Sequence, residues 1–213
     1  MDIPFLITAF TTLFVIIDPI GLTPMFVALT QDNTASERRS IAVRACVLAM
    51  LLLTAFALFG EALLGFVGIS MPAFRIAGGI LLFLTALDML FERRVKRRED
   101  SVNDVPDPSV FPLAIPLIAG PGAIASMILL ADDAIAKTAS EGTGNTVLAF
   151  GAVVLVMVLV VLLAMAMFLS AAIFERLLGK TGINVVTRLL GMLLAALSVQ
   201  FVADGVRELS LIG

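Results

Sequence analysis

Residues 14–30 read FVIIDPIGLTPMFVALT, an apolar run with a carboxylate and a proline side by side at its centre. Proline removes an amide donor and collides with the preceding turn, and glycine admits non-helical angles. Asp18-Pro19-Ile20-Gly21 therefore predicts an unwound point inside an otherwise helical segment. A second segment has the same design: residues 112–130 read PLAIPLIAGPGAIASMILL and break at Gly120-Pro121-Gly122. Around each break the chain is apolar enough to cross a bilayer. In hydrocarbon an unsatisfied amide or carbonyl costs several kcal/mol, so irregular backbone survives only against protein or beside a wet cavity. The bland alternative for either break is a proline kink with no site.

The rest of the chain confirms lipid as the solvent. Of 213 residues, 60% are hydrophobic and 15% charged, against about a quarter charged in soluble domains. A span needs roughly 20 apolar residues. Residues 41–60 qualify with Arg44 as the one charge, 71–91 with Arg75 and Asp88 near the ends, 146–174 with no charge and 184–203 with Arg188 alone. With the two broken segments, 3–30 and 111–131, that predicts an all-α polytopic fold of six spans. The polar joints fall at 31–40, 61–69, 92–110, 132–145 and 175–183. The N-terminus lacks the basic stretch of a cleavable signal and is expected to be retained.

Charge and composition exclude much. A net charge of −3 with no basic face argues against nucleic acid as a partner. There is no histidine, and the one cysteine, Cys46, lies in an apolar run, so disulfides, Cys/His metal sites and Ser-His dyads are absent by count. No G-x-x-x-x-G-K-[ST] motif is present for ATP-driven transport. With six spans, Lys137 and Arg207 lie on the side of the termini. Arg38, Arg39, Arg93, Arg94, Lys96, Arg97, Arg98, Arg176 and Lys180 lie on the other. Basic loops stay in the cytoplasm, so both termini are expected in the periplasm. The run ERRVKRRED at 92–100 reads as an orientation signal, with binding of anionic lipid as the alternative.

The halves look alike. Setting Pro19 on Pro121 pairs Gly21 with Ala123, Thr23 with Ala125 and Met25 with Met127. Setting Arg75 on Arg188 pairs Gly78 with Gly191 and Thr85 with Ser198. A three-span unit is odd, so residues 1–105 and 106–213 would form two inverted three-helix repeats with broken first and fourth helices, a pattern common in secondary transporters. Asp18 stands where an N-cap belongs, with Pro19 at the first helical position, so capping is one role. A carboxylate near mid-membrane is also a functional candidate. The partner break exposes amides at the positive end of a half-helix, suited to an anion. Arg75 and Arg188 sit about one turn inside their helices, in reach of headgroups. The rival reading is a gate or charge pair with Asp18 or Asp88. Gly78, Gly79 and Gly191 are assigned to close helix packing.

The two quoted segments resemble the signatures of the MarC family of bacterial inner-membrane proteins, and the length, the basic central loop and the final R-x-x-G helix agree across the whole chain. Resemblance to the family's neutral amino acid transporter members, and to LysE-like exporters, implies transport of small amino acids. Such a zwitterion needs amides for its carboxylate and a carboxylate or carbonyls for its ammonium. The substrate-binding candidates are Asp18, Pro19, Gly21 and Thr23 at the first break, and Gly120, Pro121, Gly122, Ala123 and Ser126 at the second. The amides of Gly122, Ala123 and Ile124 would take the carboxylate; Asp18, with carbonyls near Ile16 and Ile17, would take the ammonium. Small residues there, Ala125 among them, suit a small side chain, and one repeat would rock against the other. A proton or sodium ion is the expected coupling ion, with no organic cofactor; the partners are the bilayer, the solute and a second copy of the chain. An ion channel and a non-transporting membrane protein remain as alternatives, whereas an intramembrane protease lacks its motif.

Overall fold

The computed structural model describes residues 3–91, 107–138 and 143–212, and the basic run at 92–100 lies outside them. All regular elements among the described residues are helical: α1 (Ile3–Ile17), α2 (Pro19–Leu29), α3 (Ala35–Val67), α4 (Met71–Leu90), α5 (Ser109–Ile118), α6 (Pro121–Thr138), α7 (Thr143–Leu169) and α8 (Ala171–Ile212). Five stretches are long and apolar enough to cross a membrane: Ile3–Leu29, Ala35–Val67, Met71–Leu90, Gly144–Leu169 and Thr181–Ser210. The sixth segment is α5 with α6, bent by 55° between them.

Several helices outrun the expected spans, and their caps say why. α3 starts inside the expected joint because Thr34 and Glu37 form a capping box, and it ends where Gly68 takes φ 83. α8 holds what the sequence divides into two segments, joined through Gly179 at φ 61 and ψ 173. α5 is wide-turned: the Leu113 amide donates to Pro108 O at 3.2 Å and the Ala119 amide to Ala114 O at 2.9 Å. Phe111 and Ile115 are extended there, each immediately before a proline, whose ring disfavours helical angles at the preceding residue.

The outside is greasy: Leu51, Leu58, Phe59, Phe66, Leu148 and Leu155 are all more than half exposed. The inside is tightly packed around α1 and α6, where Ala9, Leu13, Ile17, Met127 and Leu129 are sealed from solvent. Between helices in lipid there is no hydrophobic drive, so close approach of small residues does the work. α4 and α8 run antiparallel in close contact. A Cβ placed on Gly205 would lie 2.9 Å from Pro72 O, one on Gly79 2.8 Å from Ser198 O, and one on Gly191 3.3 Å from Ala86 O. These three meeting points recur every seven residues on both helices.

Candidate functional site

The first break is milder than the sequence suggests. Asp18 alone leaves the helical region, at φ 50 and ψ 64, a left-handed conformation that Asp tolerates better than most residues. Its amide still donates to Phe14 O, and its carbonyl accepts from Leu22, both at 2.9 Å. Pro19 has no amide to give, and the Gly21 amide donates to Asp18 Oδ1 at 3.0 Å. The side chain thus supplies a bond the backbone lost, and α1 and α2 continue as one span instead of unwinding. Gly21 is small of necessity, because a Cβ there would collide with the Asp18 carboxylate and lie 3.0 Å from Thr187 Oγ1. The Thr23 hydroxyl donates to Pro19 O at 2.8 Å, tightening the same turn. Asp18 is buried, 2% exposed, and lines neither cavity described below.

The second break is a true bend, and a small cavity of about 110 Å³ lies against it. Gly120, Pro121, Gly122 and Ala123 form one wall, Pro116 to Ile118 another, and Ile16, Thr85 and Asp88 close it. The break therefore meets α1 at Ile16, two residues before Asp18. Among the described residues the acidic side chain that lines this cavity with the start of α6 is Asp88, where the sequence reading placed Asp18. Gly122 fits closely, with its would-be Cβ 2.9 Å from Leu82 Cδ2.

A larger cavity of about 340 Å³ opens at the opposite ends of the same helices. Thr8 and Thr12 of α1, Leu130, Asp133 and Lys137 of α6, and Gln200 and Asp204 of α8 contribute to it, with Arg75 of α4. Ile16, Thr12, Thr8 and Phe5 recur at helical spacing on α1, and Ala123, Ser126, Leu130, Asp133 and Lys137 do so on α6. One antiparallel α1–α6 seam thus carries both cavities. Between their linings lies a turn of fully buried residues: Leu13 on α1, and Ser126 and Met127 on α6. The Ser126 hydroxyl has no hydrogen-bond partner among the described residues.

Arg75 does not reach for headgroups. It is 7% exposed and turns inward to Asp133 at 2.7 Å, Glu208 at 3.3 Å and Asp132 at 3.6 Å. Its partners are therefore neither Asp18 nor Asp88, and α6 extends through Asp132 and Asp133, which the sequence assigned to a joint. Arg188 is exposed on α8 and lines neither cavity. At the far end Arg44 pairs with Asp107 at 3.3 Å. Asp107 also accepts the Ser109 hydroxyl at 2.6 Å and its amide at 3.0 Å. The Ser109 bonds, with Arg44 nearby, hold the Asp107 carboxyl below the usual range.

Sequence reasoning missed Thr8, Thr12, Lys137, Gln200 and Asp204. The spacing of Thr8, Thr12 and Ile16 was visible, but not what that face meets.

Compared with known proteins, residues 3–210 match the family model described as MarC family integral membrane protein. The chain is 36% identical over 211 residues to a UPF0056 membrane protein of Methanocaldococcus jannaschii, covering 97% of this chain and 98% of that one. It is 39% identical over 208 residues to a UPF0056 membrane protein of Archaeoglobus fulgidus, covering 96% and 93%. To the UPF0056 membrane protein YvbG of Bacillus subtilis it is 35% identical over 213 residues, covering 97% and 96%. No solved structure matches the chain.

Proposed function

The chain belongs to the MarC family of integral membrane proteins, and on that premise we propose that it is a secondary transporter of small neutral amino acids or similar small solutes. The observation that carries this reading is the α1–α6 seam, with one cavity at its end, a second beside the bend, and a closed turn between them. A carrier needs a central site reached from one side at a time. The cavity beside the bend has the size for a small solute. It sets backbone amides at the start of α6 opposite Asp88, giving a carboxylate and an ammonium something to meet. The closed turn favours a carrier over a channel, which needs a continuous path when it conducts.

Counting the bent pair as one span makes six, and residues 1–105 and 106–213 are two inverted three-helix halves. The antiparallel α4–α8 pair, with small residues supplied by both helices, supports that arrangement. Both termini lie outside, in the periplasm of a bacterial inner membrane, so the larger cavity faces outward. A proton or sodium gradient drives the cycle, and the chain performs no chemical conversion.

Reconstitution tests this. Proteoliposomes under an imposed proton or sodium gradient take up radiolabelled glycine or alanine saturably. Steady ionic conductance without saturable uptake overturns the carrier in favour of a channel.

A further inference from the structure

We propose that the larger cavity is itself a recognition site, the first station on the path, in which Lys137 receives the carboxylate and Asp204 the ammonium of a zwitterion with a small apolar side chain. The choice of ligand rests on the transport reading; the location and the residues rest on the cavity.

The charges around this cavity fall into two groups. Arg75 is largely committed: three carboxylates from α6 and α8 hold both terminal nitrogens of its buried guanidinium, and only its Nε has no partner among the described residues. Lys137, exposed on α6, and Asp204, half-buried on α8, form the second group. The Lys137 ammonium lies 4.3 Å over the Phe5 ring. That contact steadies a cation but accepts none of its three N–H donors in the way an oxygen would. Asp204 accepts Gln200 Nε2 at 2.9 and 3.0 Å and has Arg207 at 3.9 Å. A carboxylate has about four acceptor sites, so room for a further donor remains.

Leu130, Leu197 and Phe201 give the same cavity an apolar part of its lining, beside the hydroxyls of Thr8 and Thr12. The volume of about 340 Å³ falls at the small end of the range for small-molecule pockets. A ligand with one charge would engage only one of Lys137 and Asp204, and a large polar side chain would meet the apolar part of the lining. A zwitterion with a short aliphatic side chain uses both charges and the apolar part of the lining. It would then be passed down the seam, past Ser126, to the cavity at the bend.

Equilibrium binding of radiolabelled L-alanine to the purified full chain in detergent tests the site. Lys137→Gln and Asp204→Asn should each weaken binding at least ten-fold while melting within a few degrees of the wild type. Lys137→Arg, which keeps the charge, should bind within about three-fold of the wild type. Absence of saturable binding by the wild type overturns the proposal, as does unchanged affinity in either neutral variant or failure of Lys137→Arg to restore it. Binding with the expected charge dependence but no uptake in proteoliposomes would sink the transport reading and leave the site standing. Saturable uptake with affinity indifferent to both neutral variants would do the reverse.

Discussion

Arg75 Nη2 lies 2.7 Å from Asp133 Oδ1, joining α4 to α6 across a gap of 58 positions in the chain. The same guanidinium reaches Glu208 on α8, so one side chain ties three helices at the end where the larger cavity opens. Arg75→Met should therefore destabilise the protein. Removing one partner of a buried pair costs about 3–5 kcal/mol. With Asp133 and Asp132 still 29% and 26% exposed, about 2 kcal/mol is expected. Thermal unfolding in detergent would show a lower midpoint, with Asp133→Asn losing less because Asp132 and Glu208 remain. An unchanged midpoint for Arg75→Met would mean that the cluster holds nothing together.

Asp18 spends its carboxylate on the Gly21 amide, a bond that Asn can also accept in a conformation Asn also tolerates. Asp18→Asn is expected to fold and to keep uptake within about two-fold, while Asp18→Val should lose about 2 kcal/mol or more from the missing cap and the left-handed backbone. Loss of uptake in a well-folded Asn variant would instead assign the negative charge to the solute's ammonium.

Ser126 offers a way to separate stability from transport. A buried hydroxyl without a partner costs about 1–3 kcal/mol, so Ser126→Ala should unfold no earlier than the wild type, and later if any of that cost is recovered. If solute passes along the seam, the same variant should lower maximal uptake several-fold. Uptake at wild-type rates would place the path elsewhere.

Two glycines in helices should respond oppositely to the same methyl group. Gly79→Ala drives a Cβ to 2.7 Å from Val202 Cγ2 and 2.8 Å from Ser198 O, an overpacking that costs about 1–3 kcal/mol. Gly151, in the middle of α7, has nothing within 4 Å of the built Cβ, so Gly151→Ala should be neutral or gain up to about 1 kcal/mol of helix propensity. Paired unfolding curves would reveal equal effects if the α4–α8 contact were looser than it is here.

Orientation can be read by labelling. With Cys46 changed to alanine, a cysteine at Ser210 should react with an impermeant reagent in intact cells and one at Asp32 should not, because the basic joints mark the cytoplasmic side. The reverse pattern would invert the topology and turn the larger cavity inward.

The helical architecture was legible because each apolar segment declares itself by length alone. Their ends were harder to see. α3 begins at Ala35 because of a local capping box, which the motif T-x-x-E at Thr34 and Glu37 does announce. α6 continues past Asp132 and Asp133 for a reason no local pattern holds: the neutralising cation comes from α4. The two breaks were read as equals, yet Asp18 mends its own helix while Gly120 and Pro121 have no side chain with which to do so. The larger cavity draws on four helices distant in sequence, so periodicity could mark a face of α1 but not its neighbours.

The seven-residue recurrence of close approaches along α4 and α8 also restricts how this chain can change length. Each residue of a helix advances about 100°, so inserting or deleting a single position within residues 72–86 or 191–205 would turn at least one of the glycines away from its partner backbone and swing a bulkier side chain into its place. Natural length variation should therefore collect in the connecting segments, and lineages that gain or lose residues inside either helix should do so only with a compensating change at the facing contact.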